Sequence, residues 1–531
     1  MNKIIRFPFH LSFALALAVF LFTLSSCWDA DNIVVPINTS LPLVQINYSD
    51  SSLFALNGLD DVIYTDNDGV LAVSSQKDVT LLSPSSIDDL FKFPDQDQLF
   101  SVANTADIPP GAPPGTLFEI IEPINYDVAF SNGEPDVRID EVVFDECEVR
   151  IEITNAPEGS DLSQLRWKIL ELKDVDGTVT ERNANQTYTI SNCTLSPKYV
   201  NDSSMLSLVV TGKIPPMDTL KGRVTITCIK VKTFKGYVGH KVINVEPQYF
   251  DFTNDFAKFA ERAEEVYIKN PTLRFNITNQ YNVPILVRLD SVTVSGKRLS
   301  LANDVSKRTF LLKANSDSLY TFDNSNTIGE DLSDKLNIHS TQLTLATTII
   351  TNPTAAESGV NYTVTTNSLT NTDSLFGKYR VDMPFVGYVR NVNFTQEYTG
   401  MDLSLDDENS FDGIDLAFTG ENGMQLDFTM NLFTTAENGD TVEISEKPVI
   451  IPAALDEAMP MYIDSTNIVW THISKENIEL MNKSQKLIIG FSASTRNIAN
   501  KEIVRMLSPV YLKLNLMAGA TMNYFVIEKD K

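Results

Sequence analysis

Apolar and polar residues alternate with a period of two through most of this chain, the spacing of strands that bury one face. Val149, Ile151 and Ile153 alternate with Arg150, Glu152 and Thr154. Leu273, Phe275 and Ile277 form a second row, and Ile285, Val287 and Leu289 a third. Ile414, Leu416 and Phe418 form a fourth, expected to pair with Met424, Leu426, Phe428, Met430 and Leu432 across Gly420–Gly423. The chain closes on Tyr511, Leu512, Leu514 and Leu516. Turn chemistry separates the rows: Asp66-Asn67-Asp68-Gly69 between Val62–Tyr64 and Val70–Val73, Asp174-Val175-Asp176-Gly177, and Asn438-Gly439, the signal of a type I′ hairpin. Residues 107–115 carry four prolines, which lack the ladder donor, so a loop or domain seam is expected there. The pattern predicts a mainly β protein, with several β-sandwich-like domains in series and a few short helices.

Helical spacing is confined to short pieces. Asn254 can cap a helix whose stripe is Phe256, Phe259, Ala260, Ala263 and Val266, with Pro271 beyond its end. Ser474 can cap another, with Ile473 and Ile478 as a hydrophobic staple. The expected division is a leader over 1–26, a tether over 27–48, β units over 49–130 and 131–250, a helical connector over 251–268, and β units over 269–385 and 386–531.

The first residues are of another kind. Lys3 and Arg6 precede an apolar run from Phe13 to Phe22, too short to span a bilayer and flanked as a secretory signal is. Leu24-Ser25-Ser26-Cys27 resembles the bacterial lipobox, which implies cleavage before Cys27 and lipid on that cysteine. An ordinary signal peptide with a chance cysteine is the plainer alternative. Asp29 and Asp31 resemble, loosely, the acidic export signal of Bacteroidota-type surface lipoproteins, which implies an outer-membrane anchor facing the outside; two acids in any solvated linker would look the same.

Charge narrows the partners. The formal net charge is −27, and removing residues 1–26 would take away two bases and no acid. Such a surface is repelled by phosphate backbones, so nucleic acid is excluded as a partner, and a grip on anionic lipid has to come from the anchor itself. The 43% of apolar residues is enough for folded cores, so the charge does not signal disorder. Beyond Cys27, the cysteines are Cys147, Cys193 and Cys228; one bridge can form and one thiol stays free. Cys228 follows Val224 and Ile226 in an inward row and reads as a small buried hydrophobe.

Chemistry is sparse. His240, His339 and His472 lie far apart, no Gly-x-Ser-x-Gly elbow adjoins one, and there is no glycine-rich phosphate cradle. No enzyme, cofactor or metal is therefore expected. The two Asp-rich turns lack the earlier oxygen ligand of a calcium loop, since Tyr64 and Leu172 stand there. Trp167 and Trp470 sit in strand-like sequence, where core packing outweighs sugar stacking. Asp-Ser/Thr-apolar triplets at Thr219, Ser291, Ser318, Ser374 and Thr441 resemble the O-glycosylation sequon of exported Bacteroidota-type proteins.

The stretch Asn270-Pro271-Thr272-Leu273-Arg274-Phe275-Asn276-Ile277-Thr278-Asn279 leading to Val283-Pro284-Ile285 resembles the strand-turn-strand of late-embryogenesis-abundant-like sandwich domains. It is also similar to uncharacterised Bacteroidota-type outer-membrane lipoproteins, as are Pro42-Leu43-Val44 and the Asp68-Gly69 turn. Neither resemblance implies an activity. The function expected is a non-enzymatic scaffold or accessory subunit beside an outer-membrane β-barrel or another envelope protein. The alternatives are a glycan-binding lipoprotein of a nutrient-uptake system, or a polymerising adhesin with a donor strand near Tyr524–Ile527.

Overall fold

The computed structural model describes residues 37–49, 63–84, 87–113, 115–130, 136–200, 203–252, 261–360, 366–400, 413–455, 460–463, 469–508 and 511–522. Period-two alternation becomes strands almost wherever it occurs, so the protein is mainly β. Residues 426–435 and 486–495 show the physical reason plainly: every second side chain is buried, and the two strands pair along their length.

Twenty-four strands build three sandwiches. The inner one is contiguous: β3 (Gln96–Ala103), β4 (Ile124–Phe130), β5 (Arg138–Ile153), β6 (Leu165–Ile169), β7 (Arg182–Asn183), β8 (Thr187–Ser191), β9 (Ser203–Ile214) and β10 (Thr219–Tyr237). The middle one takes β2 (Leu71–Leu82) together with β11 (Lys241–Asp251), β12 (Thr272–Asn279), β13 (Ile285–Val294), β14 (Thr309–Leu312), β15 (Ser316–Phe322), β16 (Gln342–Thr351) and β17 (Leu375–Pro384). The outer one takes β1 (Ile37–Ser49) together with β18 (Val392–Thr399), β19 (Gly413–Asn422), β20 (Leu426–Thr435), β21 (Val449–Ile451), β22 (Val469–Ser474), β23 (Lys486–Thr495) and β24 (Tyr511–Met522). Inner, middle and outer refer to nesting along the chain.

All three share one strand order. Numbered within each sandwich, one sheet runs 1-8-3-6 and the other 2-7-4-5, all antiparallel. In the inner sandwich these are β3-β10-β5-β8 and β4-β9-β6-β7. In the middle one they are β2-β17-β12-β15 and β11-β16-β13-β14. In the outer one they are β1-β24-β19-β22 and β18-β23-β20-β21. Each sandwich thus lies in the chain between the first and second strands of the next. The series of β-sandwiches expected from the sequence is present, and the strand pairing shows its members to be nested along the chain.

Two compact units result. One holds the described residues of Phe54–Val389 and Lys501–Ser508, with the inner and middle sandwiches; the other holds those of Met1–Leu53, Arg390–Asn500 and Pro509–Lys531, with the outer sandwich. In the inner core Trp167 is 1% exposed and donates its indole N–H to the Asn183 carbonyl at 2.9 Å. Phe91 packs on Phe234, and Phe93 on Phe144. Each such side chain, fully buried, contributes about 2–3 kcal/mol before the cost of ordering it.

Several expectations change. Residues 37–48, within the expected tether, supply most of β1 instead. The rows on either side of Gly420–Gly423 do not pair: β19 and β20 lie in opposite sheets, joined by an arch. At Asn438-Gly439 only Gly439 has a positive φ, so the turn is not type I′; the Asn438 side chain ties itself to the Asp440 backbone and side chain instead. Val266, assigned to a helix, lies in the strand Glu265–Ile268, while residues 253–260 are outside the described set. The helix after Ser474 is present as α1 (Lys475–Ser484), with Ser474 at its N-cap and both Ile473 and Ile478 buried.

Candidate functional site

The most concentrated charge in the described core is on the middle sandwich. Strand register sets Arg274 of β12 opposite Arg380 of β17, and Asp382 follows two places on, on the same face. Asp382 is 2% exposed. Its carboxylate takes Arg380 Nε at 2.5 Å and the Tyr64 hydroxyl at 2.8 Å on one oxygen. Arg274 Nε lies 3.0 Å from the other oxygen, Oδ2, in an ion pair without hydrogen-bond alignment. The Arg380 guanidinium also stands 4.0 Å from the centre of the Tyr64 ring. Asp382 thereby pins the short strand Ile63–Thr65 to the sheet through Tyr64 and separates two like charges.

Burial, and then the bond to Asp382, push the Tyr64 phenol up to about 12. Burial also pushes Tyr320 up to about 12 and raises Tyr379. A phenol raised in the fold stabilises it below its ordinary value near 10, and that contribution is lost as pH climbs through about 12. Tyr64→Phe is therefore expected to reduce the loss of stability between pH 10 and 12. Urea melts of the middle sandwich across that range check it, and an unchanged slope would contradict the assignment.

A second buried acid lies in the inner sandwich. Glu171 Oε2 accepts the Ser207 backbone N–H at 2.6 Å, and Glu171 Oε1 is 3.1 Å from Lys198 Nζ. Lys198 donates to Ser207 Oγ at 3.0 Å, and Ser207 donates to Asp127 at 3.0 Å. A hydroxyl beside an amine has the outline of a nucleophile and its base. Here the amine serves as counter-ion to a buried carboxylate, and Ser207 is only 5% exposed, out of a substrate's reach. This network holds strands.

The histidines are not brought together. His240, in the Val238–His240 link between inner and middle sandwiches, sits 2.9 Å from Glu357. Burial raises the Glu357 carboxyl, but the Thr354 backbone N–H and His240 outweigh it and hold the group below its usual range. The same link is clamped by Asn367 on the Val238 N–H, by Thr351 and Asn352 on the Gly239 carbonyl, and by Asp136 on the His240 N–H. His472 Nδ1 faces Asp415 at 2.7 Å across β19 and β22. His339 is exposed. Among the described residues no hydroxyl or thiol hydrogen-bonds to the ring of His240 or His472.

Other sequence-predicted residues scatter. Cys27, Asp29, Asp31 and Tyr524–Ile527 lie outside the described residues. Cys228, read as a buried hydrophobe, is half-buried and disulfide-bonded to Cys147, directly opposite it on β5 and β10; Cys193 is the free, buried thiol. Both Asp-rich turns spend their oxygens on the chain itself: Asp66 accepts the N–H groups of Asp68 and Val70, and Asp174 is engaged by Arg182 and Thr180. Among the described residues no group of three or more His, Cys, Asp or Glu could hold a metal ion. Trp470 lies on β22. Thr441 is exposed, Thr219, Ser291 and Ser318 are half-buried, and Ser374 is 9% exposed with its hydroxyl on Gln280. The Asp382 cluster was missed in the sequence because only register reveals it. Its faint signal is charge at alternate positions, Arg380 and Asp382, inside a half-apolar strand.

No family model and no curated protein matches this chain. Among solved structures it is similar to a protein of Parabacteroides distasonis ATCC 8503 that carries the provisional description of a secreted protein: 14% identity, TM-score 0.29, over 54% of this chain and 88% of that one. It is also similar to a chain of infectious bursal disease virus, Gx strain, at 9% identity and TM-score 0.13 over 87% of this chain and 82% of that one. Likeness at this level is too slight to carry fold or function from either protein to this one.

Proposed function

We propose that this chain is a non-enzymatic surface lipoprotein, acting as scaffold or accessory subunit of an outer-membrane protein complex. The observation that carries this reading is the use made of its chemistry-bearing side chains. Asp382, Glu171, His240 and His472 are each engaged by a partner from another strand or loop, and each engagement holds elements of the fold together. The lipobox-like sequence at Cys27 supports a lipid anchor, and the acidic surface supports a protein partner over nucleic acid. Purification from the native outer membrane with Cys27 intact is expected to bring along a β-barrel or other envelope protein in stoichiometric amount. A chain that comes alone, and binds polysaccharide instead, would overturn the proposal.

A further inference from the structure

Seven strands of the outer sandwich lie within residues 392–522, while the eighth, β1, is delivered from across the whole inner and middle sandwiches. It pairs with β24 from Ile37 opposite Met522 to Ser49 opposite Tyr511, with a register shift between Pro42 and Val44. Among the described residues it ends its sheet, with β24 as its single neighbour. The equivalent strand of the middle sandwich, β2, is held from both sides, by β17 and by the strand Ile63–Thr65. β1 is therefore joined to its sheet through a single ladder, interrupted by a proline and a bulge. On the inner face of β24, Leu512, Leu514 and Leu516 are fully buried. Departure of β1 would uncover, along β24, a row of backbone donors and acceptors, which an extended peptide can satisfy.

We infer that residues 37–49 form a separable closing strand, and that the β24 edge of the outer sandwich is a peptide-accepting edge whose occupant is this anchor-proximal segment. Resting on the lipid anchor proposed above, this couples the anchored end to the closure of the outer sandwich; the separable strand itself does not need that reading. The partner proposed above plays no part in this inference.

The test uses the mature chain carrying Gln45→Pro and Ile46→Pro together. Consecutive residues of an antiparallel strand present their N–H groups alternately to the neighbour, so one of the two prolines removes a ladder donor. Amide exchange in 511–522 is expected to quicken at least tenfold while β5 and β10 keep their protection. A synthetic peptide of residues 37–49 added to that variant is expected to restore it. Unchanged exchange in β24, equal loss in all three sandwiches, or failure of the peptide to restore protection would each overturn the inference.

Discussion

Replacing Asn422 by alanine is expected to lower the stability of the outer sandwich by about 3 kcal/mol and leave the middle one unchanged, because three backbone groups, two of them buried, lose their partners at once. Asn422 ends β19 at the arch into β20 and is fully buried. Its amide donates to the Leu426 carbonyl at 2.9 Å and the Pro452 carbonyl at 2.7 Å, and its oxygen accepts the Met424 N–H at 2.9 Å. Asn279 does the same at the end of β12, where its amide reaches the carbonyls of Val283 and Lys313 and its oxygen takes the Tyr281 N–H. Even the next residue matches: Gln280 N–H bonds the Ser374 carbonyl, and Gly423 N–H that of Tyr511, each just ahead of or at the start of its sandwich's last strand. Asn279→Ala should therefore weaken the middle sandwich by a similar amount. With no shared partner, the double variant should be additive. Urea denaturation read through exchange in β13 and β20 separates the two. Equal weakening of both sandwiches by either variant would contradict the correspondence.

Removing the Cys147–Cys228 bridge by Cys147→Ala with Cys228→Ala is expected to cost about 2–4 kcal/mol, felt in the inner sandwich. The bridge joins positions 81 residues apart on two of its longest strands, β5 and β10, so it removes a large loop from the unfolded ensemble. Cys193 gives a built-in control. Burial pushes its thiol up to about 11, so it should stay unlabelled by iodoacetamide in the native protein and react once the inner sandwich opens. Denaturation with and without reductant checks the first claim, and native-state labelling checks the second. A double variant as stable as the parent would contradict it.

The strands were legible because burial of one face imposes period two locally. The row from Leu426 to Leu432 is buried as expected, the Asp66–Gly69 turn closes its hairpin, and Ser474 caps its helix. Pairing was not legible, because it is decided far away. Nothing near Gln45 reports that its neighbour is Asn515, and nothing near Asn422 reports that the Pro452 carbonyl awaits it. The arch at Gly420–Gly423 therefore read as a hairpin, and the nesting within the series left no local mark. The same blindness hid the Asp382 cluster, whose members come from three separate strands. Cys228 read as a hydrophobe because its own strand shows only an inward row, while its partner sits on β5.

Cross-linking at one register pair tests the nested architecture. Gln45 stands opposite Asn515, which is exposed, and directly opposed positions of antiparallel strands are close enough to cross-link. In the mature chain carrying Gln45→Cys and Asn515→Cys, mild oxidation is expected to join the two positions within one molecule, giving a cross-linked peptide by mass spectrometry with the native Cys147–Cys228 bridge kept. Absence of that intramolecular link, or its formation only after unfolding, would mean that residues 37–49 do not complete the outer sandwich.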